Sequence, residues 1–417
     1  MQDNLTSYYT FPSGLRLVHR LVDSPVAYLG IMVGAGTRDE LPGETGMAHY
    51  IEHTVFKGTE RRSSRMIINR IENVGGEINA YTTKEETTFY VATPEEHSER
   101  ALELLADMIF HPVFPKRETD KERQVIYDEI ESYNDSPSEL IYDDFESLLF
   151  AGHPLANPIL GTKKTLRYFN VEKAHAFMNR TYSPSRMVVF AETHMPFARF
   201  LRMAEKCVEK EAICRMMMEN PVGRSPFEVP SKSHEDRMAI YRKHTHQSHV
   251  MLGGHAYPIG HEKQLAAYLL NNILGGGSMN SLLNIALREK KGLVYTVESI
   301  YTPLSDTGYW SVYFACDPEN REKCLELVGR ELDKLMDKPL TDQLMRRAFR
   351  QMRGLMAISA ENRENSALSM AKLMLYRGEA PRWEETLERI SALTAHDLHV
   401  VSQELFDSSK RFCLQYC

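Results

Sequence analysis

Cysteine is scarce, with six in 417 residues (Cys207, Cys214, Cys316, Cys324, Cys413 and Cys417) and no Cys-x-x-Cys. That spacing indicates neither a disulfide framework nor a thiolate zinc site, and the thiols are expected to be reduced packing residues. Long apolar runs are missing too. A stretch of about 18 apolar residues would be needed to span a bilayer, so no membrane partner is expected. Nor is there an excess of positive charge: 50 Lys and Arg stand against 57 Asp and Glu, a net charge of −7, which gives no electrostatic reason to expect nucleic acid. Lys116-Arg117 and Lys290-Lys291 are too short to change this and read as solvated surface. The first residues, Met-Gln-Asp-Asn-Leu-Thr-Ser-Tyr-Tyr, show no basic region followed by an apolar one and no Arg-rich character, so a cytoplasmic protein is the expectation.

What is present suits packed cores. Apolar residues make up 42% of the chain, and its length exceeds the roughly 250 to 300 residues at which single cores stop growing. Alternating or β-branched runs predict strands at 15–20, 26–33, 77–82, 87–93 and 187–191. Helical periodicity predicts helices at 46–56, 64–74, 94–110, 117–133, 136–149 and within 163–182. Residues 219–236 hold three prolines and few large apolar residues, and they read as a linker between domains at 1–218 and 237–417. Across that linker the pattern repeats: Phe89-Tyr-Val-Ala-Thr-Pro94-Glu, followed by Ala101-Leu-Glu-Leu, has its counterpart in Tyr313-Phe-Ala-Cys-Asp-Pro318-Glu, followed by Cys324-Leu-Glu-Leu. The fold class expected is α+β, two similar duplicated domains.

The chemistry concentrates in Gly46-Met-Ala-His49-Tyr-Ile-Glu52-His53-Thr-Val-Phe-Lys57-Gly58-Thr59. On a helix, positions 49, 52 and 53 stand at i, i+3 and i+4, so two imidazoles and a carboxylate leave one face. Neutral imidazoles suit zinc, and a carboxylate beside the ion can take a proton from water. Such a pair can equally be a solvated helical face, but the glycine-rich turn Gly34-Ala-Gly36-Thr-Arg-Asp-Glu40 before it and the Gly58 stop after it favour a built site. A hydrolytic zinc needs a third ligand. In 119–132, Glu122, Ile126 and Glu129 share a helical face, and periodicity does not choose between the two acids. When Tyr50-Ile-Glu-His is laid over Tyr268-Leu-Leu-Asn, the second half carries Ala267, Leu270 and Asn271 in place of His49, Glu52 and His53, so only the first half can hold the metal. The glycines at 275–277 lack a phosphate-loop context and read as a helix cap and turn.

These stretches resemble the insulinase/pitrilysin (M16) zinc metallopeptidases, in the short two-domain form similar to mitochondrial processing peptidase subunits and their bacterial relatives. The resemblance implies Zn2+, one per chain, on His49, His53 and Glu129, with Glu52 as general base and Glu122 as a second acidic residue at the site. It implies that Asn79-Ala80-Tyr81 belong to an edge strand on which a peptide pairs, and that Arg288 and Tyr295 hold the substrate. A glycine common after the last strand of the first half is replaced here by Glu192-Thr-His-Met. The expected function is a zinc endopeptidase acting on peptides or unfolded segments inside a chamber formed by a homodimer. The alternative is a non-catalytic or hetero-oligomeric core subunit of the same fold, a role in which the metal motif is typically lost.

Overall fold

The computed structural model describes residues 6–216, 224, 226–229, 233, 235–243 and 245–417. One sheet contains β1 (Thr6–Thr10), β2 (Arg16–Leu21), β3 (Val26–Val33), β4 (Glu77–Thr82), β5 (Thr87–Pro94) and β6 (Met187–Thr193), in the order β1-β2-β6-β3-β5-β4. The other contains β7 (Met238–Tyr241), β8 (Ser248–Ala256), β9 (Val294–Pro303), β10 (Gly308–Cys316) and β11 (Phe412–Tyr416), in the order β7-β11-β8-β10-β9. Without β1, the first order maps strand for strand onto the second. Each sheet has one parallel pair, β2 with β6 and β11 with β7, and antiparallel neighbours elsewhere. The repeat seen in the sequence falls on β5 and β10, and the α+β class is the observed one.

The helices are α1 (Met47–Val55), α2 (Ser64–Glu72), α3 (Ser98–Phe110), α4 (Lys116–Asn134), α5 (Pro137–Leu149), α6 (Lys163–Leu166), α7 (Val171–Thr181), α8 (Phe197–Ala204), α9 (Lys210–Met216), α10 (Gln264–Gly275), α11 (Arg321–Asp337), α12 (Asp342–Ala360), α13 (Arg363–Arg377), α14 (Trp383–Ser391) and α15 (Ala395–Leu405). None of the described helices is long and apolar enough to cross a membrane.

Two compact units result: Met1–Ile130 with Asn157–Ser225 and Ser359–Pro381, and Glu131–Ala156 with Pro226–Ile358 and Arg382–Cys417. Neither is a continuous half of the chain. In the first unit, Leu29, Ile31 and Val33 of β3 enter a core with Leu102 and Leu105 of α3. Met32 points the other way, with Val188 and Phe190, onto Ala367, Met370, Ala371 and Met374 of α13. A strand buried on both faces loses its polar alternation, which is why β3 reads as an unbroken apolar run. In the second unit, Val250, Val312 and Phe314 pack with α10, α11 and α15. The opposite face, with Met251, Tyr313, Leu414 and Tyr416, is covered by Ile141, Phe145 and Leu149 of α5. Each sheet is thus closed by a helix from the other side of the expected linker.

Glu192, near the end of β6, serves this closure. Its buried carboxylate accepts from Arg20 of β2 at 3.0 Å and from Ser366 of α13 at 2.7 Å. Of the expected linker, residues 219–223, 225, 230–232 and 234 lie outside the described residues. Arg224 is anchored to the first unit, its guanidinium donating to Asp39 at 3.0 and 2.9 Å and to the Gly34 carbonyl at 2.9 Å. Phe145 is fully buried in the α5 contact, so Phe145→Ala is expected to cost about 3–5 kcal/mol, read as a lower urea midpoint of unfolding.

Candidate metal centre

The helix α1 is mostly buried: Met47, Ala48, Tyr50, Ile51, Thr54 and Val55 face the core. Its start is held tightly. The Glu40 side chain accepts from the N–H groups of Gly46 at 3.0 Å and Ala48 at 3.0 Å, satisfying donors that a helix N-terminus leaves free. Gly46 has φ +94°, and a Cβ there would come within 2.6 Å of the Cα of Gly161. Gly161, with φ +72°, is equally constrained, because its own Cβ would lie 2.5 Å from the Thr45 carbonyl oxygen. The Pro/Gly-rich segment 153–162 therefore ends in a backbone-to-backbone contact that sets where α1 begins.

From this fixed helix the two imidazoles emerge with ring centroids 4.5 Å apart. The long helix α4 brings Glu129 to them, Oε2 standing 3.8 Å from His49 Nε2 and 3.5 Å from His53 Nε2. Among the described residues, His49, His53 and Glu129 are the one group of three His, Cys, Asp or Glu whose potential ligand atoms gather for a metal ion, all within 4.8 Å of one another. Glu129 Oε2 is buried without a hydrogen-bond partner. Donors about 2.0–2.2 Å from a shared tetrahedral ion stand roughly 3.3–3.6 Å apart. The 3.5 and 3.8 Å separations of Glu129 from the two rings come close to that, and two nitrogens and one oxygen are a donor set that suits zinc.

Glu122, about two turns of α4 earlier, lies behind His53 rather than in the triad. Its Oε1 is 2.9 Å from His53 Nδ1, and its Oε2 is 2.6 Å from Lys57 Nζ. An ionised carboxylate can only accept, so Nδ1 carries the hydrogen and a neutral ring keeps its Nε2 lone pair toward Glu129. Periodicity had left Glu122 and Glu129 open; packing assigns them different neighbours. Glu52 stands on the same face of α1, and Thr82 Oγ1 of β4 donates to its Oε2 at 2.6 Å.

The electrostatics describe a site short of positive charge. Burial, reinforced by the charge of His53, pushes the His49 pKa down to about 3, so its ring is neutral. Burial would lower His53 as well, but the Glu122 hydrogen bond and the charges of Glu52, Glu129 and Glu122 raise it. Burial raises Glu52 against the opposing Thr82 hydrogen bond and His53 charge, with Glu129 adding to the rise. It also raises Glu129, with His53 opposing and Glu122 adding. For Glu122 burial is outweighed by the hydrogen bonds to His53 and Lys57, and its pKa falls.

Asn79, Ala80 and Tyr81 lie on β4, which ends the sheet and pairs only with β5. The other edge of β4 is open among the described residues. Arg288 and Tyr295 belong to the second unit, Arg288 in a π-helical turn, Asn284–Glu289, and Tyr295 85% exposed on β9. In that unit the helix matching α1 has buried Ala267 and Leu270, and Asn271 exchanges hydrogen bonds with Ser299 at 2.9 and 2.5 Å. Two contributors stood in stretches the sequence reading singled out but were given no chemical role there, Lys57 and Thr82. Lys57 follows His53 by one helical turn, a spacing that could have suggested it; Thr82 meets Glu52 only through the fold.

Comparison with known proteins gives the family of the chain. The family model described as Insulinase (Peptidase family M16) matches residues 19–163, and the one described as Peptidase M16 inactive domain matches residues 168–352. The first span contains His49, Glu52, His53, Glu122 and Glu129. An uncharacterized zinc protease of Bacillus subtilis, YmxG, is 31% identical over 95% of both chains. An uncharacterized zinc protease of Streptomyces coelicolor is 31% identical over 95% of this chain and 86% of its own. A protease from Helicobacter pylori has the same fold, with a TM-score of 0.88 at 21% identity, covering 99% of this chain and 100% of its own. The chain belongs to the insulinase-type peptidase family M16.

If the cluster is the metal site, His49→Ala, His53→Ala and Glu129→Gln should each abolish zinc retention, measured by elemental analysis after dialysis. Glu122→Gln, which removes a group behind a ligand, should lower zinc affinity only about 10- to 100-fold.

Proposed function

We propose that this protein is a zinc-dependent endopeptidase that hydrolyses peptides or unfolded segments, binding one Zn2+ per chain through His49, His53 and Glu129. The observation that carries the reading is the convergence of His49, His53 and Glu129, their ligand atoms all within 4.8 Å of one another, beside a partly buried Glu52. Relatives named zinc proteases support the metal and the reaction class. Zinc, when bound, supplies a Lewis acid that acidifies water and polarises a carbonyl.

The protein's own residues do the rest. Glu52 accepts the proton of the attacking water and returns it to the leaving amine. Glu122 keeps His53 oriented. The open edge of β4, through Asn79, Ala80 and Tyr81, receives the substrate as an added strand, so recognition reads main chain more than side chains. Arg288 supplies a charged fork and Tyr295 a phenolic donor for the substrate carbonyl and its developing negative charge. In this proposal residues 1–218 provide the zinc-bearing part and 237–417 the Arg/Tyr part. The working unit is a homodimer in which each chain offers Arg288 and Tyr295 to the other's metal centre.

Glu52→Gln should keep zinc and lose about 10²- to 10⁴-fold in hydrolysis, checked with a fluorogenic peptide before and after chelation. Tyr295→Phe should cost about 10²-fold. Mixing the two inactive variants under conditions of subunit exchange should restore activity, because one site of each mixed dimer then has both groups intact. Continued inactivity in mixtures shown to have exchanged would rule out sharing between chains.

A further inference from the structure

Glu52 has three rotatable bonds between its carboxylate and a helix, and α1 alone does not decide where its oxygens point. One residue outside α1 does. Thr82 Oγ1 donates to Glu52 Oε2 at 2.6 Å, and Thr82 is the last residue of β4, in register opposite Thr87 of β5. Immediately beyond it the chain turns through a segment that is both buried and tied down. The Thr83 N–H donates to the Glu86 carbonyl at 2.8 Å, Lys84 Nζ reaches the Asn157 carbonyl at 2.6 Å, and Arg38 pairs with Glu85 at 2.7 Å, the latter two side chains only 2% exposed. The hydroxyl is therefore delivered from a rigid frame, which is what a group must have if it is to orient another.

We propose that Thr82 is the positioning residue for Glu52, engaging Oε2 so that Oε1 is the oxygen left to accept a proton. The role rests on the peptidase reading and adds to it a link between recognition and chemistry. β4 is the strand whose open edge would receive a peptide, and the same strand ends in the hydroxyl that aligns the base. Docking and base alignment thus share one element.

The test compares the full-length wild type with Thr82→Val, which keeps the shape and loses the donor, and Thr82→Ser, which keeps the donor. Each is assayed for kcat and KM on a fluorogenic unstructured peptide, for zinc content by elemental analysis, and for a cooperative melting transition. Thr82→Val should lower kcat about 10- to 100-fold, the worth of a hydrogen bond to a charged group, with KM and zinc content unchanged. Thr82→Ser should recover most of the loss. If Thr82→Val does not melt cooperatively, Thr82→Ala serves as the donor-free variant. A donor-free variant with wild-type kcat, a serine variant as impaired as the valine one, or a kcat loss matched by zinc loss would overturn the role of Thr82 alone. Absence of chelator-sensitive hydrolysis by the wild type would overturn the peptidase reading, and the positioning role with it.

Discussion

The first unit is organised around the burial of the polar face of α1. Two imidazoles and a carboxylate on a helix otherwise packed into the core must lose water, and desolvation disfavours their charged forms. The neighbours on α4 do not relieve this, since they bring two further carboxylates and leave Glu129 Oε2 without a partner. Positive charge comes from Lys57, and it is spent on Glu122. A divalent cation at the His49, His53 and Glu129 donors would resolve the conflict at once, because its charge stabilises the carboxylates while its coordination uses the neutral rings.

Such a site works only if its parts cannot drift. The Glu40 contacts and the Gly46–Gly161 contact hold the start of α1, while Lys57 and Glu122 hold His53 from behind. The buried turn after Thr82 holds the end of β4. These supports come from segments far apart in the chain, and they converge because the sheet places β4 at its edge next to α1. The second unit repeats the strand order but fills the equivalent helix with Ala267 and Leu270 and closes Asn271 onto Ser299. A duplicated fold can thus keep its architecture while one copy spends these positions on packing and the other on polar groups.

Because α5 and α13 cross between the halves of the chain, neither half by itself supplies both covers of its own sheet. A sheet with a single covered face would show polar alternation and could stand alone. Here β3 is apolar on both sides, and its second cover arrives more than three hundred residues later, with Glu192 pairing to Ser366 as a polar fastener on that face.

The sequence by itself determined the elements, the duplication and the chemical types at the site. Periodicity is a local property, so α1, α4, β3 and the paired β5 and β10 could be read from runs of neighbouring residues, and the loss of the His/Glu set in the second half could be read by overlaying two such runs. Periodicity offered both acids of α4 alike, and the resemblance to the family set Glu129 as ligand and Glu122 beside it, without saying which nitrogen of His53 each would meet. That distinction, the closure of each sheet by the other side's helix, the contact of Gly161 with Gly46, and the reach of Thr82 to Glu52 were decided by tertiary structure alone. Each depends on the direction in which one element crosses another, and a pattern that repeats every two or 3.6 residues carries no information about crossings between elements far apart in the chain.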